Sequence, residues 1–206
     1  MTDTAPTKHV GDLSIERSNA ARYSGLVEVT GSITILSDVT MDALTSVGGV
    51  LYLWGNTNLN APALTGVGGG LDLWPAATLN APALSSVGGR LRIVPGANLN
   101  AQALISVGGH LLPSPALADA RIRAVAAAAL APDALSMEFW HACDTTHCIA
   151  GWGIHQAGDA GYALQEELGA ATAGVVLLGL EAAHHFYDSD ADARAWLQSK
   201  LARAVG

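Results

Sequence analysis

A repeat of 20 residues constrains this chain more than any other feature. Leu51, Leu71 and Leu91 open three successive copies at that spacing, and LNAPALTGVGG in the first returns as LNAPALSSVGG in the second. Each copy holds five apolar residues at fixed offsets, exemplified by Leu51, Leu53, Leu59, Leu64 and Val67, and then turns at a Gly pair. Upstream, Ile33, Ile35, Leu44, Val47 and Gly48-Gly49 form a copy shortened by two residues, and Leu13, Ile15, Leu26, Val29 and Gly31 a degenerate first one. A segment this short cannot bury its own apolar face, whereas stacked copies make a continuous core. The pattern therefore predicts a parallel β-solenoid of about five coils, in which each L-x-L pair alternates in and out as a strand must. Stacked, these strands form one sheet, the Gly pairs supply positive-φ turns, and Asn60, Asn80 and Asn100 form an internal ladder that satisfies turn amides.

The V-G-G-x-L-x-L motif followed by N-x-x-L and P-A-L resembles leucine-rich repeats, and more closely the receptor L-domain type of right-handed β-solenoid. The resemblance covers about half the chain and implies a binding role, since such solenoids mostly bind. An outward row carries the expected ligand-binding residues. Tyr52, Trp54, Asp72, Trp74, Arg92 and Val94 follow or separate the inward residues of three strands. Trp54 and Trp74 occupy equivalent positions, so their rings are expected about 5 Å apart. Two Trp and a Tyr beside an Asp and an Arg suit a protein or carbohydrate partner. Burial of this row under helices or a second copy of the chain is the other outcome, and self-association through the row or the coil ends is a further possibility.

After Pro115 the composition turns Ala-rich and helical. The fold class is thus α+β: a disordered tail over 1–9, a right-handed solenoid over 10–115 and an all-α domain over 116–206. Helices are predicted at 116–131, from Pro132-Asp133 to Trp140, and at 147–157, 160–168 and 170–187, with a last one capped by Ser189. The helical part would cap one end of the solenoid.

One segment of that part is chemically suggestive. His141, Cys143, His147 and Cys148 fall within eight residues. Its C-D-T-T-H-C-I-A-G-W run resembles the C-G-T-x-x-C-I-A-G-W core of uncharacterised bacterial and phage-associated proteins, with Asp144 in place of the Gly. Three readings stand. The two cysteines and one or both of these histidines bind zinc, completed by His184 or His185. Or Cys148, at a helix N-terminus, is a nucleophile with His141, His147 or His184 as its base, Cys143 and His147 being the other catalytic candidates. Or the cysteines are core residues, Thr145 or Thr146 caps the helix, and Trp140 and Trp152 pack around them. His155, seven residues on, shares a helix face with Cys148 but lies too far along the axis to pair with it directly.

Charge narrows the function classes. With 10 basic against 18 acidic residues and a net charge of −8, the chain lacks the clustered cations that bind nucleic acid or anionic membranes. The segment MTDTAPTKHVGD has no apolar stretch of a signal peptide, and two cysteines make no disulfide scaffold. A cytoplasmic interaction or ligand-binding module is expected. A cysteine- or zinc-dependent enzyme is the alternative, and a structural self-assembling protein a third.

Overall fold

A computed structural model describes residues 7–202, and the chain divides after Gly109 into two compact units. The first is the solenoid. Its L-x-L strands, Leu13–Ile15, Ile33–Ile35, Leu51–Leu53, Leu71–Leu73 and Leu91–Ile93, stack in parallel with every residue opposite its equivalent. There is not one sheet, however, but three. Val39–Thr40, Asn58–Asn60, Thr78–Asn80 and Asn98–Asn100 form a second parallel column. A third runs through Glu28–Val29, Ser46–Val47, Gly66–Val67, Ser86–Val87 and Ser106–Val107. It begins at Lys8–His9, which pairs with Glu28–Val29 and so belongs to the first coil rather than to a disordered tail; residues 1–6 of that expected tail lie outside the described residues.

The five expected columns of apolar side chains are buried along the coils, and a sixth joins them: Met41, Ala61, Ala81 and Ala101. Alanine is too small to declare its side by hydropathy alone. The Asn ladder is real but bonds differently from expectation. Asn80 Nδ2 donates to Asn60 Oδ1 at 2.6 Å and Asn100 Nδ2 to Asn80 Oδ1 at 2.7 Å, so the amides satisfy one another along the column.

The Gly pairs also work by another mechanism. None of Gly48, Gly49, Gly68, Gly69, Gly88 and Gly89 has positive φ; of the pairs, only Gly108-Gly109 does. A Cβ on Gly68 would sit 2.5 Å from the Gly48 carbonyl oxygen, and one on Gly69 would sit 2.7 Å from the Gly49 carbonyl carbon. The glycines let coil backbones approach to hydrogen-bonding distance. Positive φ falls instead at the turn after the L-x-L strand, at Asn56, Ala76 and Gly96.

Among the described residues the second unit contains six helices: α1 (Pro115–Ala129), α2 (Ile149–Gln156), α3 (Asp159–Leu168), α4 (Ala170–Leu178), α5 (Leu180–Ala183) and α6 (Asp190–Ala202). The expected last cap holds, with Ser189 Oγ accepting from Asp192 N. Three expectations are corrected. The unit is not all-α, because His141–Cys143 and Thr146–His147 form an antiparallel hairpin. Residues 133–140 are not a helix. Asp133 takes φ 57° and Leu135 bridges to His147, while His147 N donates to Ala134 O and Ser136 N to His147 O. The stretch expected over 170–187 breaks at Gly179, with φ 83°. Helix α4 is buried from Thr172 to Leu178 and forms the centre of this unit. Among the described residues no helix is long and apolar enough to cross a membrane.

Candidate functional site

Two arrangements of side chains stand out, one in each unit. On the solenoid, the outward row forms a stack. The Trp54 and Trp74 rings lie 4.8 Å apart and within 10° of parallel. From the next coil the Arg92 guanidinium sits 5.0 Å from the centre of the Trp74 ring, a cation–π contact. Trp54 is 45% exposed and Tyr52 and Trp74 are half-buried. Leu36, also exposed, is the equivalent of Trp54 in the preceding coil.

Asp72 does not join this row as a ligand group. It is 2% exposed, and Arg90 holds its carboxylate through Nε at 3.2 Å and Nη2 at 2.5 Å. Val94 is buried too. Strand alternation places both outside the coil interior, and Arg90 covers Asp72 there. Arg90 is a residue that sequence reasoning missed. It precedes a strand by one position, and the register that brings it to Asp72 spans adjacent coils.

In the second unit the hairpin wraps the start of α2. Cys148 is the N-cap, its Sγ accepting from Gly151 N at 3.3 Å, so neither Thr145 nor Thr146 has that role. Burial pushes the Cys148 thiol up to about 11. A helix N-terminus ordinarily favours a thiolate, but here desolvation outweighs it. Cys143 is the opposite case. It is exposed on the hairpin, and hydrogen bonds from Thr145 and Thr146 lower its pKa to about 7. Its Sγ lies 3.4 Å from Thr145 Oγ. Alkylation by iodoacetamide at pH 7.5 is thus expected to modify Cys143 at least tenfold faster than Cys148 in the folded protein. Mass mapping of the adducts checks this, and equal rates would contradict it.

The histidines cluster among themselves instead of around a cysteine. His147, 1% exposed, places Nδ1 2.9 Å from His141 Nδ1 and Nε2 3.3 Å from the Asp144 carbonyl oxygen. His141 Nε2 meets Gln165 Oε1 at 2.8 Å. His155 stacks on His147 at 4.6 Å and reaches the Tyr162 hydroxyl at 3.1 Å. Trp152 packs edge-on against His147, and its indole donates to Ala134 O at 2.8 Å. Trp140 packs instead against Tyr187, with ring centres 5.7 Å apart. Gln165 and Tyr162 carried no signal in the sequence, being contributed by α3 from outside the His- and Cys-rich segment.

Among the described residues no three His, Cys, Asp or Glu side chains converge as a metal ion requires. Of the histidines expected to complete such a site, His185 is held by Asp188 at 2.6 Å and stacked on Trp196.

Burial, then the neighbouring His141 and His155, lower the pKa of His147. Burial, then His185, does the same to His184. Both groups bind a proton more readily unfolded than folded, so stability falls with pH below about 6.5. Thermal melts at pH 7.5 and 5.5 are expected to show a lower Tm at the acid pH, by several degrees. A His147→Gln variant should show a smaller drop, and an unchanged difference would contradict the assignment.

No protein-family model matches this chain, and no curated protein or solved structure does either.

Proposed function

We propose that the chain is a recognition module whose solenoid binds its ligand through the Trp54–Trp74–Arg92 stack, with Tyr52 beside it. The observation that carries this reading is the 4.8 Å ring stack with Trp54 left 45% exposed. Few chemistries gain from holding so large an apolar edge in water other than contact with a ligand. The likeness of the repeat to leucine-rich and receptor L-domain solenoids supports the same reading, and that of the C-I-A-G-W segment supports a bacterial or phage origin. Two free thiols fit a reducing cytoplasm.

The test compares wild type with the Trp54→Ala, Trp74→Ala double variant on an oligosaccharide panel and a displayed peptide library. The double variant is expected to lose at least tenfold in affinity for what wild type selects. Loss of the ring contact alone should cost about 1 kcal/mol of stability. Equal binding by the two proteins, or selection of nothing by wild type, would sink the reading.

A further inference from the structure

The strand Leu13–Ile15 is the first of its column, so among the described residues one side of it has no neighbouring strand. Leu13 N donates to Ser32 O at 2.8 Å and Leu36 N to Ile15 O at 2.9 Å, so Leu13 and Ile15 bond toward the second coil. Successive residues of a parallel strand bond to opposite sides. Ser14 and Glu16 therefore turn their backbone groups to the open side. Such a row of donors and acceptors is a template on which another strand can pair. The other two columns begin in strands of only two residues, Lys8–His9 and Val39–Thr40, and Lys8 is paired with Glu28 at 2.9 Å.

One carboxamide fills the opening. Asn19 Oδ1 accepts from Glu16 N at 2.9 Å, and Asn19 Nδ2 donates to Ser14 O at 3.0 Å. The first of these bonds repeats what joins the coils elsewhere. Leu36 N, Trp54 N, Trp74 N and Val94 N follow their strands as Glu16 follows this one, and each donates to the last strand residue of the coil before, between 2.9 and 3.2 Å. A carboxamide carries the acceptor and donor of a peptide group, so Asn19 stands where the peptide of a preceding coil would. Its local position asks for something else. Asn19 precedes the 3₁₀ turn Ala20–Tyr23, where an asparagine ordinarily accepts from the first N–H groups that follow, yet it makes no such bond. The turn is held by backbone instead, with Asn19 N and Ala20 N both donating to Glu16 O.

We infer that Asn19 stops strand addition at this end of the solenoid, shielding an edge that would otherwise pair with the same edge of a second copy of this chain. Two such edges meeting about a two-fold axis run antiparallel and are self-complementary. Each chain has one Leu13–Ile15 edge, so the pairing closes as a dimer.

The mass of the full chain in solution, followed by light scattering over a wide range of concentration, tests this. Asn19→Ala uncovers the edge, whereas Asn19→Asp keeps the acceptor for Glu16 N and adds a charge that strand pairing would have to cover. Asn19→Ala is expected to reach twice the wild-type mass as concentration rises, with hydrogen exchange slowed at the Ser14 and Glu16 amides in the larger species. Asn19→Asp is expected to keep the wild-type mass, and both variants to melt within about 5 °C of wild type. Wild-type mass for Asn19→Ala at every concentration overturns the inference. Doubling by Asn19→Asp as well overturns it too, since a loosened coil then accounts for both, and so does doubling without protection at Ser14 and Glu16. If Asn19→Ala melts early, Asn19→Ser, which lacks the amide but suits a position ahead of a helical turn, is read in its place.

Discussion

Gly88→Ala is expected to destabilise the solenoid by about 3 kcal/mol, although alanine is a small change at a position with ordinary backbone angles. The added Cβ would run into the Gly68 carbonyl oxygen, with the carbonyl carbon 2.9 Å and Cα 3.4 Å away. Every one of these atoms is backbone, so no side chain can swing aside. The backbone is fixed in turn by Gly88 N donating to Val67 O and Gly89 N to Gly69 O, both at 2.8 Å. Relief requires the two coils to separate there, lengthening hydrogen bonds in the neighbouring columns. In a stack whose stability is mostly nearest-neighbour contact, one damaged interface uncouples everything beyond it. Gly66→Ala is the matched control. Its Cβ would meet only Ser86 Oγ, at 3.5 Å, and Ser46, Ser86 and Ser106 already carry side chains at that position. Urea denaturation of both variants measures the difference, and a Gly88→Ala loss below about 0.5 kcal/mol would show that the coils are free to shift.

The same glycines show what the sequence could and could not disclose. Their spacing located the turns, because a 20-residue period with leucines in register admits little else. Their reason was not legible, since glycine answers both a positive φ and a close backbone approach, and only the folded backbone separates the two. The L-x-L sheet was legible from two apolar residues alternating with one outward. The other two columns were not, because each contributes one inward residue per coil, such as Leu59 or Val67, and no period of two can be read from a single residue. At 133–140, Pro-Asp followed by helix formers reads locally as a helix start. A bridge from Leu135 to His147, twelve residues on, overrides it. The histidine cluster was half legible. His155 lies too far along the helix axis to pair with Cys148. Its partner, His147, reaches it from the hairpin, whose pairing no local sequence pattern announces.

Gly151→Ala is expected to be as damaging to the second unit, by about 3 kcal/mol or more, and it explains what the C-I-A-G-W run does structurally. A Cβ there would occupy the place of the Trp140 carbonyl oxygen, with the carbonyl carbon 2.9 Å and His147 Cβ 3.1 Å away. That carbonyl accepts from Cys148 N, and Cys148 Sγ accepts from Gly151 N. Gly151 is the seat on which the segment before the hairpin rests against α2. Each neighbour in the run has a matching duty. Cys148 caps the helix, Ala150 faces Gly174 so closely that a Cβ on the latter would lie 2.7 Å from its own, and the Trp152 indole ties back to Ala134 O. Alanine at 151 lifts the hairpin and loosens all of these together. The buried Cys148 thiol reports the result directly. It should become open to iodoacetamide in Gly151→Ala while Cys143 reacts as before, and Tm should fall by 10 °C or so. If Cys148 stays protected and Tm moves by less than about 2 °C, the carbonyl has found room. The small residue would then answer to something other than the hairpin, and chemistry at this segment would regain its claim.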